Sequence, residues 1–272
     1  MSDAQKLPKQ LARFLEGLSP SQPLFFDDSD HAYALLHDLN FELQWFATKA
    51  LLFHLQEMED AEDSKIDAID KECRNATGQR NEWLADHWVD SVHRSVYTNA
   101  ARSMAAVGAL APFIESLFHQ TYLAIGRLNA SHGIPPGKHP RWTEAQTEMW
   151  DCHFVWEKGH RGKNLVGGIV QLADATGMRG ELPEDLESTL KALFHYRNRM
   201  FHLGYEWPVD ERQRFARTIS QEKWPKGWFQ TAKHGEDPWV YYMSKDFIVH
   251  CVETVEKSIA GIGRFVAAKH ST

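Results

Sequence analysis

Apolar side chains recur at helical spacing along most of the chain. Leu36, Leu39, Leu43, Phe46, Ala50 and Phe53 mark one face of a long helix from about Ser29 to Met58, with room to run further. Val89, Val92, Val96, Ala100, Met104 and Val107 mark a second. Pro112 should kink or break it, because proline has no N–H to give and its ring crowds the preceding turn; a helical run then resumes through Ile125. Ahead of both, Leu11, Phe14 and Leu18 predict a short helix followed by a loop around Pro20 and Pro23. Gly133, Pro135, Pro136, Gly137 and Pro140 make the stretch from Asn129 to Trp142 the clearest loop in the chain. Gly159, Gly162, Gly167 and Gly168 mark a second irregular zone before a helix around Ile169 to Ala175.

Further along, Pro183 suits a first helical position, Glu184 and Asp185 suit the positive end of a helix dipole, and Gly204 suits its stop. A short helix follows Pro208. Trp228 to Thr231 and Trp239 to Tyr242 flank a polar stretch and predict a small hairpin near residues 228–242. Ser244 caps a final helix carrying Phe247, Ile248, Cys251, Val255, Ile259, Ile262 and Phe265. The fold class is therefore all-α: a bundle with long antiparallel helices and one minor hairpin. Residues 1–272 read as one helical domain, divisible into an N-terminal part, 1–128, and a second part, 143–272, joined by the Pro/Gly loop.

The helix from Pro183 to Gly204 holds the chain's most informative stretch, Phe194-His195-Tyr196-Arg197-Asn198-Arg199-Met200-Phe201-His202. With Arg197 at 0° and about 100° per residue, Leu186, Leu190, Leu193, Phe194, Met200 and Phe201 fall within roughly 60° of it. A guanidinium amid apolar neighbours needs a partner, since burying a lone charge costs several kcal/mol or more. Asn198 and His202, four residues apart, share one flank. One helix thus offers a cation, an amide and a titratable imidazole, which is the inventory for gripping and cutting a phosphodiester. The bland alternative is a core cation paired to a buried carboxylate.

Arg197-Asn198-x-x-x-His202 resembles the R-x4-6-H signature of the HEPN superfamily, whose Arg is often followed by Asn or another polar residue. The resemblance implies an all-α domain that commonly dimerises and sets two such helices side by side, building one composite, metal-independent RNase site. It implies catalytic roles for Arg197, Asn198 and His202, and a place in toxin or antiviral-defence systems. Some members keep the fold without cutting, so the alternative is a non-catalytic helical module that binds RNA or another protein, or acts as a sensor.

If the site cuts, His202 can take the proton of a ribose 2′-OH or return one to the leaving 5′-oxygen near neutral pH. Arg197 would hold the scissile phosphate by charge-assisted hydrogen bonds, and Asn198 would orient it. Transesterification benefits from both an acid and a base, whereas one helix offers one His202. A homodimer supplies the second. DNA, lacking the 2′-OH, should be untouched.

Composition bounds the remaining possibilities. The chain has 272 residues, 43% of them hydrophobic, enough for a substantial core. Cys73, Cys152 and Cys251 are isolated, and the first residues lack a hydrophobic signal core, so a reducing, cytoplasmic setting is expected. The longest apolar run, Ala105 to Ile114, is too short to span a bilayer, and no membrane partner is expected. A net charge of −7 argues mildly against generic nucleic-acid affinity, but it is uneven. Glu57 to Glu72 holds eight acids and two lysines, whereas Lys191 to Lys226 holds eight Lys or Arg against four acids. The basic bias surrounds the motif.

Other chemistries are weaker. Asp90-x-x-His93 is a single carboxylate–histidine pair, whereas a di-iron bundle needs two Glu-x-x-His units and two more carboxylates. His87 with His93, or Cys152 with His153, could seed a metal site without completing a ligand set. Gly159-His160-Arg161-Gly162-Lys163 lacks P-loop spacing and reads as an exposed loop. No cofactor or metal is expected.

Overall fold

The computed structural model describes residues 27–135, 137–143, 148–157, 159–235 and 237–270. Helix α1 (Asp28–Leu35) opens on a capping box in which Asp27 and Asp30 each accept the other's backbone N–H. Helix α2 (Phe41–Asn75) follows, capped by the Asn40 side chain, which accepts from the Leu43 N–H at 3.0 Å. The single helix predicted from Ser29 is thus two, because Asn40 starts a new helix. The second of them runs well past Met58, and the acidic stretch from Glu57 to Glu72 lies on it. The short helix expected around Leu11, Phe14 and Leu18, with the loop at Pro20 and Pro23, lies outside the described residues.

Three residues connect α2 to α3 (Gln79–Ser131), and the two pack together along their lengths, so they run antiparallel. At 53 residues α3 spans about 80 Å. Pro112 lies within it without ending it. The missing hydrogen bond is outweighed by burial on both sides: Val107, Leu110, Ile114, Leu117 and Phe118 are all core residues.

The described residues of the Pro/Gly stretch form a loop from residue 132, with a 3₁₀ turn at Pro140–Thr143. Strands β1 (Phe154–Glu157) and β2 (His160–Lys163) pair antiparallel, Phe154 opposite Lys163 and Glu157 opposite His160. This hairpin corrects the reading of residues 159–163 as an exposed loop. Every β2 residue is exposed, so the strand carries no apolar alternation and gives no periodic signal.

Helix α4 (Leu165–Thr176) leads to the motif helix α5 (Leu186–Leu203) and then α6 (Val209–Gln221). Strands β3 (Phe229–His234) and β4 (Asp237–Met243) form the expected hairpin. Helix α7 (Lys245–His270) closes the chain, with the Ser244 hydroxyl accepting the Phe247 N–H at 3.1 Å. The architecture is all-α with two small hairpins. One connected set of buried residues reaches from Ala32 on α1 to Phe265 on α7. Part of it is aromatic: Phe215 on α6 lies 5.2, 4.9 and 5.1 Å from the rings of Trp207, Phe229 and Tyr241. Among the described residues, no helix is long and apolar enough to cross a membrane.

Candidate functional site

Helix α5 is set in place from three sides. It packs on α3, α4 and α7. The Tyr196 hydroxyl donates to the Tyr241 carbonyl of β4 at 3.1 Å, and His250 of α7 bridges Thr189 and Asp185, each at 3.0 Å. The helix starts at Leu186, three residues after Pro183, and stops where Gly204 takes a positive φ of 76° that a side chain would oppose.

The buried arc of α5 is rotated from the one the helical wheel predicts. Thr189, Ala192 and Tyr196 are buried along with Leu186, Leu190, Leu193 and Met200, whereas Phe201 is 49% exposed. Tyr196 and Ala192 sit about 100° and 140° round the wheel from Arg197. The centre of the covered face therefore falls nearer Met200, and Arg197 stands at its edge. Apolar identity alone counted Phe201 as core; α3 and the β3–β4 hairpin cover the other flank instead.

At that edge Arg197 reaches into an open cleft of about 970 Å³, lined on the α5 side by Lys191, Phe194, His195, Arg197 and Asn198. Its guanidinium donates to Asn198 Oδ1 at 3.1 Å and lies 5.4 Å from the centre of the Phe201 ring. Among the described residues, no carboxylate pairs with it. The structural cation of this helix is Arg199, two residues on. It lies 5.1 Å from the Phe215 ring and 3.9 Å from Glu211, and it donates to the His195 carbonyl. Asn198 shares the cleft with Arg197. His202 is exposed in the last turn of α5 and is not among the residues lining that cleft.

Lys163, at the end of β2, and the first residues of α4 complete the cationic side. Asn164 caps α4 by accepting the Gly167 N–H at 2.9 Å, so the positive end of a twelve-residue helix dipole opens here. Lys191 is already shared between Glu187 at 2.9 Å and Glu222 at 3.8 Å.

The far wall holds Glu115, Asp151 and His153. It rests on Arg141, whose fully buried guanidinium is held by carbonyls: Nε donates to Met149 at 2.6 Å, Nη1 to Phe154 at 2.7 Å and to Gln171 Oε1 at 2.9 Å, and Nη2 to Asp151. Burial pushes Arg141 down to about 10, still cationic at neutral pH. This clamp fixes the chain from Met149 to Phe154. His153 Nδ1 lies 2.6 Å from Asp151 Oδ1, and Nε2 lies 3.0 Å from Glu115 Oε1. Burial opposes charge on His153, but the two carboxylates outweigh it and raise its basicity. Across the cleft, partial burial and nearby Arg199 depress His195. The cleft thus places two imidazoles of opposite tendency on opposite walls, one made more basic and one less.

Arg141, Glu115, Asp151 and the pairing of His153 are not singled out by the sequence. Their one local signal is Glu115-x-x-x-His119, which puts two polar side chains on one face of a strongly apolar helix. Compared with known protein families, with curated proteins and with solved structures, the chain matches none.

Proposed function

We propose that this protein is a metal-independent endoribonuclease of HEPN type, working as a homodimer in the cytoplasm and belonging to a toxin or antiviral-defence system. One observation carries the reading: Arg197 stands on an open cleft with no carboxylate partner among the described residues, beside Asn198. A phosphate supplies what a buried acid does not. Lys163 and the α4 N-terminus favour an anion at the same place.

In this reading Arg197 and Asn198 hold the scissile phosphate, and the His202 residues of two chains exchange the protons. One takes the 2′-OH proton as that oxygen attacks phosphorus. The other gives a proton to the departing 5′-oxygen, leaving a 2′,3′-cyclic phosphate and a 5′-hydroxyl. Phe201, Leu203, Tyr205 and Val209, all exposed apolar residues beside His202, favour a second copy covering this end of α5.

A second reading, a non-catalytic module that binds RNA or another protein, is favoured by the position of His202 outside the cleft of its own chain. A gel assay on RNA in EDTA separates the two. Cleavage lost in His202→Ala and sharply reduced in Arg197→Lys, with unchanged thermal melts and retained RNA binding in the former, supports the enzyme. RNA binding without cleavage in the unaltered protein leaves the second reading, and cleavage undiminished in His202→Ala overturns the first.

A further inference from the structure

We infer that His119, Cys152 and His153 form a binding site for a zinc-class transition-metal ion. His119, Cys152 and His153 each bring one ligand atom, and these atoms lie within 4.8 Å of one another. Tetrahedral zinc, with bonds of about 2.0–2.3 Å, spaces its ligands about 3.3–3.6 Å apart. Closing the present set around an ion therefore needs only a small contraction.

Four features of the cluster favour a metal over a chance meeting of polar groups. His119 Nδ1 is buried and without a hydrogen-bond partner, an uncommon state for a buried polar nitrogen. Asp151 Oδ1 lies 3.6 Å from His119 Nδ1 and 2.6 Å from His153 Nδ1, a negative charge beside the two imidazoles that favours a cation there. Glu115 takes the other nitrogen of His153 at 3.0 Å, the carboxylate–histidine arrangement that orients metal-bound imidazoles. Three of the residues, Asp151 to His153, lie on the segment that Arg141 clamps, so their geometry is fixed before any ion arrives.

The donor types narrow the ion. Two imidazoles and a thiolate, with an open fourth position, suit zinc or cobalt, whereas magnesium and calcium prefer oxygen alone. Cys152 is fully buried while Asp151 and His153 line the cleft, so the ion would lie between the core and the open space facing Arg197. On binding, the Cys152 thiol releases its proton to solvent, His153 binds as the neutral imidazole, and no electron is transferred. The site stands independently of the RNA reading, in which no step needs a metal.

The test is a cobalt titration of the full chain after chelation and dialysis. We expect one Co²⁺ per chain, with a near-ultraviolet thiolate-to-cobalt band that Zn²⁺ abolishes. Cys152→Ser should remove that band. Glu115→Gln, which leaves the ligand atoms in place, should weaken Zn²⁺ binding by about 10–100-fold. Should Cys152→Ser fail to fold, His119→Gln, at a partly exposed position, should lose stoichiometric binding while still melting cooperatively. An absence of stoichiometric cobalt binding, or a band that survives Cys152→Ser or His119→Gln, overturns the inference. Metal content is read without RNA, so its failure and that of the nuclease reading are separate results.

Discussion

One wall of the cleft is built on a single 18-residue helix, its cationic side completed by the end of β2 and the start of α4, while the other draws on the middle of α3 and the segment from Met149 to Phe154. The walls also hold their cations differently. Arg197 is bonded to the neighbouring Asn198 and otherwise faces open space, whereas Arg141 is sealed among carbonyls. A guanidinium held by fixed carbonyls is part of the frame. One that keeps only a side-chain amide and an aromatic face has its binding capacity left for a ligand. The difference teaches where to look for function: in the arginine whose surroundings do not satisfy it.

The sharpest way to break this comparison is Arg141→Met. It strands the carbonyls of Met149, Asp151 and Phe154, and it should cost roughly 3–5 kcal/mol in a urea melt. A loss under about 1 kcal/mol would mean that the far wall holds itself. Gly168→Ala comes next. Its added Cβ would meet the carbonyl oxygens of Cys152 at 2.0 Å and Phe154 at 2.6 Å, both backbone atoms. Such overpacking should cost about 1–3 kcal/mol. In a Cys73→Ser background it should also speed labelling of Cys152 by a thiol reagent; unchanged labelling would show that the segment can yield without opening.

Smaller effects sharpen the contrast between neighbouring arginines. Arg199→Met removes the contacts to Phe215 and Glu211 and should cost about 1 kcal/mol with RNA cleavage retained. Arg197→Met should change stability by no more than about 0.5 kcal/mol yet abolish cleavage. Thermal melts beside the RNA assay check both, and a reversal of the two outcomes would transfer the functional role to Arg199. The smallest change in chain stability is expected of Phe201→Glu with Val209→Glu, both exposed positions. Ultracentrifugation should show a dimer turned monomer; an unaltered protein that is already monomeric at tens of micromolar counts against the shared site.

Much of the frame was legible along the chain because local rules govern it. Gly204 ends α5 and Ser244 caps α7 through their own backbone and side chain, and the β3–β4 hairpin follows its two aromatic runs. The failures came where a local signal was overridden or muted. Asn40 caps α2 although apolar spacing continues across it, so the spacing alone does not reveal the break. Pro112 does not break α3, because the residues on both sides of it are well buried. The β1–β2 hairpin leaves no periodic signal because its outer strand is exposed throughout.

By itself the sequence determined the helical class, the stop of the motif helix at Gly204, and the placing of Arg197, Asn198 and His202 on that one helix. Each depends on spacings of a few residues, which the helix repeat converts directly into geometry. Only the tertiary structure decided that Arg197 stands at the edge of the buried arc rather than its centre, because which flank of α5 is covered depends on where α3 and the β3–β4 hairpin lie. Only it brought Glu115 and His119 to Asp151, Cys152 and His153. Residues more than thirty positions apart meet through packing, and packing is a property of the whole chain that no short window of sequence contains.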